Sequence, residues 1–111
     1  MFNYYRTMAA VDLPHPERED IALGAVLFAL SDPERLEIAR ELREGPLDMA
    51  DCLAVGAQMP KSTRSHLMKV LREAGVIRNT ANGRRRTLEL RREDLEARFP
   101  GLIDAVLDAR G

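Results

Sequence analysis

The chain has little of what covalent and metal chemistry needs. Of its 111 residues one is cysteine, two are histidine, none is tryptophan, and aromatics make up 5%. With Cys52 alone no intrachain disulfide can form, which fits a reducing, cytoplasmic setting. His15 lies between two prolines in an irregular stretch, and His66 stands far from it in sequence. There is no Gly-rich phosphate loop, no HExxH and no GxSxG, so no nucleophile and base can be named. An enzyme is therefore the poorest fit, and neither a catalytic residue nor a cofactor is expected. The N-terminus also lacks the cationic start, apolar stretch and small-residue cleavage site of a secretory signal. The longest apolar run, Ile21–Leu30, is ten residues, about half of the roughly 20 that a membrane-spanning helix requires. No membrane partner is expected, and the run must be buried in protein.

Charge is plentiful but segregated. The formal net charge is only -1, yet residues 57–92 hold ten basic side chains against two acidic ones, a local balance of +8. The remainder of the chain carries the compensating -9. Such separation in a chain of one-domain size suggests one face built for a polyanion and another kept off it.

The hydrophobic pattern is mainly helical. An irregular arm over residues 1–16 precedes a domain over 17–111. A first helix is expected from about Glu17 to Leu30, with acids in its first turn. Its second half is apolar all round, which calls for cover on two sides, from its own core and from a second subunit. Asp32 caps a second helix with Pro33 at its first position, and Gly45 stops it. A short third helix is expected over Asp48–Val55. Pro60 then opens a fourth over Lys61–Ala74, in which Leu67, Val70, Leu71 and Ala74 form an inward stripe and Ser62, Ser65, His66 and Lys69 an outward one. After Gly75 a strand from Val76 to Thr80, a turn at Ala81-Asn82-Gly83 and a return strand near Arg86–Arg91 read as a hairpin. A last helix, Glu93–Arg110, is broken at Phe99-Pro100-Gly101. The fold class is thus mainly α with a small β-hairpin, in the order of a dimeric winged helix-turn-helix.

Three segments carry a family resemblance. KSTRSHLMKVLREAGVI, residues 61–77, resembles the recognition helix of ArsR-type (ArsR/SmtB) regulators. LFALSDPERLEIARELREG, residues 27–45, resembles the family's opening helices, and LRREDLEARFPGLIDAVLDA, residues 90–109, the tail of a branch without the metal-binding motifs. The resemblance implies a homodimer held by its first and last helices, each subunit placing one helix in the major groove of double-stranded DNA. It also implies wings on the flanking backbone and repression relieved by a signal. On this chain Ser62, Thr63, Ser65 and His66 would face base edges or phosphates, with Lys61, Arg64 and Lys69 beside them. Arg84, Arg85 and Arg86 would lie in the wing. Ile21, Val26, Phe28, Leu102 and Val106 would form the dimer interface.

Metal sensors with this resemblance need clustered thiolates or imidazoles. Here the third helix offers only Cys52, and the last offers Asp104 and Asp108 but no histidine. No metal site is expected and the effector is open. Cys52 itself reads as a buried small hydrophobe or a redox-sensing thiol, and Met49, Met59 and Met68 as core fillers. A different class of function stays in view, since winged helices also serve as protein-interaction modules in antitoxins and assembly subunits.

Overall fold

The computed structural model describes residues 13–56 and 58–110. Five α-helices and three strands follow one another as α1 (Leu23–Leu30), α2 (Pro33–Glu41), β1 (Leu47–Asp48), α3 (Lys61–Glu73), β2 (Ile77–Asn82), β3 (Arg85–Leu90), α4 (Arg92–Arg98) and α5 (Leu102–Asp108). The strands form one antiparallel sheet in the order β1-β3-β2, with Leu47 opposite Leu88 and Ile77 opposite Leu90. This is a winged helix-turn-helix. Its core is a single cluster in which Ile38, Leu71, Ile77, Leu88 and Leu107 are fully buried. No helix among the described residues is long and apolar enough to cross a membrane.

Several boundaries follow from local chemistry. Asp32 accepts the Arg35 N–H at 3.0 Å with Pro33 at the first helical position, so α2 begins where the sequence places it. Phe99, Pro100 and Gly101 separate α4 from α5 as expected.

Elsewhere tertiary contacts override the pattern. The expected first helix is cut, with Arg18–Asp20 forming a 3-10 turn and Ile21 and Ala22 extended before α1 starts. Ile21 is drawn out of helical geometry because its side chain fills the space beside Gly75, while its carbonyl accepts from Arg98 at 2.8 Å. The expected third helix is absent. In its place stand β1 and two 3-10 turns, Met49–Asp51 and Leu53–Val55. Asp48 is claimed by pairing with Thr87 and caps the Ala50 N–H at 2.9 Å, and the Glu41 carboxylate takes the Leu53 and Ala54 N–H groups. The hairpin turn lies one residue later than Asn-Gly suggests. Asn82 pairs with Arg85, so Gly83 and Arg84 form the loop, and only Gly83 adopts positive φ (64°). That is the arrangement of a turn with glycine at its first central position.

Candidate nucleic-acid interface

Helix α3 presents two faces because its sequence alternates at helical spacing. Leu67, Met68 and Leu71 are buried, whereas Lys61, Ser62, Thr63, Ser65, His66 and Lys69 are exposed and Arg64 is half-buried. The outward face is short enough for close approach, since serine and threonine hydroxyls can bond phosphates or either base type. Pro60 at the N-cap supplies no side-chain acceptor. The first N–H groups of α3 therefore point outward with the positive end of the helix dipole, beside Lys61.

Beside α3 a cleft of about 580 Å³ lies between the 48–56 segment and the hairpin, lined by Arg64, Arg84, Arg85 and Arg86 together with Met49 and Leu53. The three hairpin arginines differ in their commitments. Arg84 is exposed at the loop. The Arg85 side chain is 71% exposed and meets Asp48 at 3.3 Å, a contact too exposed to hold it. Arg86, expected as a phosphate contact, folds back along the sheet. Its Nε donates to Asn79 Oδ1 at 2.8 Å and a terminal nitrogen to the Asn79 carbonyl at 2.7 Å.

The +8 balance of residues 57–92 also overstates the charge this face presents. Arg72 and Arg91 are buried; Arg72 donates to the Pro14 carbonyl at 2.5 Å. Asp94 gathers Arg18 (2.7 Å), Arg91 (2.9 Å) and Arg78 (3.3 Å). Burial alone would raise the Asp94 pKa, but hydrogen bonds from Arg18 and Arg91 and the nearby Arg78 charge outweigh it and hold the carboxyl below its ordinary range. Arg92 pairs with Asp104 at 2.9 Å, and that bond keeps Asp104 low as well. Lys61, Arg64, Lys69 and Arg84 have no ion pair among the described residues. Of the pairs around Asp94 and Asp104, only Arg91–Asp94, three residues apart, could have been read from sequence spacing.

The residues expected at a dimer interface divide in two. Ile21 and Val26 are 1% and 0% exposed, their side chains consumed by the protomer's own core. Phe28 is 64% exposed and continues with Leu23 and Leu27 as an apolar strip along α1, which the sequence reading did not single out beyond Phe28. Leu102 and Val106 are half-buried against the core, and Val106 shares a groove of about 720 Å³ with Leu36, Ala105 and Ala109.

Cys52 is buried, and burial first, then the Glu41 carboxylate, push its thiol up to about 11. A thiol so placed is rarely a thiolate near neutral pH, the opposite of a redox-sensing cysteine. Met68 lies in the core while Met49 and Met59 pack against it half-buried. No group of three or more His, Cys, Asp or Glu suited to a metal ion occurs among the described residues.

No family profile matches the chain. Its sequence is 40% identical over 62 residues to the HTH-type transcriptional regulator NmtR of Mycobacterium tuberculosis, covering 56% of this chain and 51% of that protein. The chain thus spans about half the length of that relative. It is 31% identical over 93 residues to the uncharacterized HTH-type transcriptional regulator YceK of Bacillus subtilis, covering 81% of this chain and 92% of YceK. Among solved structures, the ArsR family transcriptional regulator RHA00566 shares the fold, with a TM-score of 0.61 at 24% identity, over 85% of this chain and all of that one. The homodimeric winged helix-turn-helix DNA-binding domain of Mb0332 from Mycobacterium bovis, described as a possible ArsR-family regulator, aligns with a TM-score of 0.59 at 26% identity over 78% of each chain. With its fold, its exposed polar helix beside a basic hairpin and a relative matched over nearly its whole length, the chain belongs to the ArsR family of winged helix-turn-helix transcriptional regulators.

Proposed function

We propose that this protein binds double-stranded DNA sequence-specifically as a homodimer and represses transcription from an inverted repeat. The observation that carries the reading is the exposed polar face of α3 set beside the arginine-lined cleft and hairpin. In this reading Ser62, Thr63, Ser65 and His66 lie along the major groove and contact base edges. Lys61, Arg64, Lys69, Arg84 and Arg85 neutralise phosphates on either side. The strip Leu23, Leu27 and Phe28, with Val106 on α5, meets its counterpart on a second copy across a two-fold axis, which matches the two-fold symmetry of an inverted repeat. Domain organisation follows the same reading, with one winged domain from residue 17 onward and its terminal helices used for dimerisation. The buried thiol of Cys52 takes no part in signalling, and any effector is organic or another protein.

The test is titration of duplexes flanking the protein's own gene, with point changes at each base of a candidate repeat. Ser65→Ala and His66→Ala should alter the ranking of these duplexes, because a good base contact gives about 1–3 kcal/mol of discrimination. An unchanged ranking removes both residues from base readout. A parent protein that binds no duplex at low salt moves the chain to the class of protein-interaction modules.

A further inference from the structure

Of the irregular arm expected over residues 1–16, residues 1–12 lie outside the described residues, and residues 14–16 are bonded to the domain. Three consecutive residues each bond a different part of the domain. The Pro14 carbonyl accepts from Arg72 of α3 at 2.5 Å, His15 Nε2 accepts the Asn79 N–H of β2 at 3.0 Å, and the Pro16 carbonyl accepts from Arg91 at 2.7 Å. Arg18 then closes onto Asp94 at 2.7 Å. Among the described residues strand β2 is an edge of the sheet, and His15 satisfies the outward N–H of its Asn79. Leu13 borders a groove of about 300 Å³ together with Ser65 and Lys69 of α3.

Asn79 is the hub of this arrangement. It is 4% exposed; its N–H goes to His15, while its side-chain oxygen and its carbonyl both receive Arg86. Arg86 adjoins the two exposed arginines of the hairpin. We propose that residues 13–18 form a strap that locks the wing to the recognition helix, with His15 a positioning residue whose Nε2 holds Asn79 and so sets where Arg84 and Arg85 are presented. An acceptor at Nε2 requires a neutral imidazole with its proton on Nδ1. Removing that acceptor leaves a buried backbone donor unpaired, loosens β2 and lets the hairpin swing away from α3. The consequence for DNA rests on the DNA-binding reading above, whereas the lock itself does not.

The experiment compares the full chain with His15→Ala, which removes the acceptor, and His15→Gln, whose Oε1 can replace Nε2. Two readouts are taken: duplex affinity against salt, and exchange of the Asn79 amide by NMR without DNA. His15→Ala should weaken DNA binding about tenfold and expose the Asn79 amide to about tenfold faster exchange, while His15→Gln stays near the parent in both. Parent-like affinity and exchange in His15→Ala would overturn the proposal. So would equal loss in His15→Gln, because the effect would then come from something other than the acceptor. If the parent binds no duplex, the DNA reading fails alone, and the lock is judged on exchange, where unchanged Asn79 protection in His15→Ala rejects it.

Discussion

The sharpest quantitative consequence of the interface concerns salt. Two copies of Lys61, Arg64, Lys69, Arg84 and Arg85 offer about ten phosphate contacts, so log affinity should fall against log salt with a slope of about -9, near 0.9 per phosphate neutralised. Counting every basic side chain of residues 57–92 instead would give about -18 for a dimer. The structure favours the smaller value because Arg72 and Arg91 are buried, Arg78 and Arg92 are paired with Asp94 and Asp104, and Arg86 is bonded to Asn79. Replacing Arg84 and Arg85 together with alanine removes about four contacts from the dimer and should bring the slope to about -5. Between about 50 and 200 mM salt the parent then loses about five decades of affinity and the variant about three. Fluorescence anisotropy of a labelled duplex at several salt concentrations measures both slopes. A double variant with the parent's slope would refute the placement of the wing on DNA. A parent slope near -18 would refute the assignment of the paired arginines to structure.

Three further outcomes follow. Gly75 has φ 84°, and a Cβ there would stand 2.6 Å from Ile21 Cγ1; Gly75→Ala should cost about 2–5 kcal/mol from left-handed strain and overpacking, read by urea denaturation. A loss under about 1 kcal/mol would show that Ile21 yields. Asp94→Asn leaves Arg91 without its counter-charge and should destabilise by about 3 kcal/mol. Because the folded Asp94 carboxyl is held below its ordinary range, its contribution is complete above about pH 5 and disappears as pH falls through the lowered value, so the variant should show a shallower acid limb below about pH 4. Phe28→Asp should convert the dimer to monomer in sedimentation at micromolar concentration, and a wild-type monomer there would reject the α1 strip as an interface.

The helices with their own punctuation were legible in the sequence. Asp32-Pro33 opened α2, Pro60 preceded α3, and Phe99-Pro100-Gly101 divided the last two helices, because each of these signals acts through backbone atoms a few residues away. Where the reading went astray, a distant partner competed. Nothing local told that Ile21 would be pulled beside Gly75, or that Glu41 would take the amides that a third helix needed. The outward stripe of α3 was readable for the same reason as its core stripe, since both follow from helical spacing. The strap was not, since His15 and Asn79 meet across most of the chain.

The arginines show why composition misjudged the strength of the interface while locating it. A guanidinium offers five donors in a fixed fork, and this chain uses that fork to occupy backbone carbonyls with no partner in a helix or strand. Arg35 takes Ala29 O at 2.7 Å, Arg40 takes Ala109 O at 2.6 Å, and Arg98 takes Ile21 O at 2.8 Å, just as Arg72 and Arg91 hold the strap. With few aromatics and no disulfide, such bonds tie the ends of short helices to the body. The side chains left for a polyanion number about five per protomer, too few for the roughly 6–10 phosphate contacts that give steep salt dependence. Doubling them through a two-fold axis reaches that range, so the modest charge of one copy is itself an argument that the DNA-binding unit is the dimer.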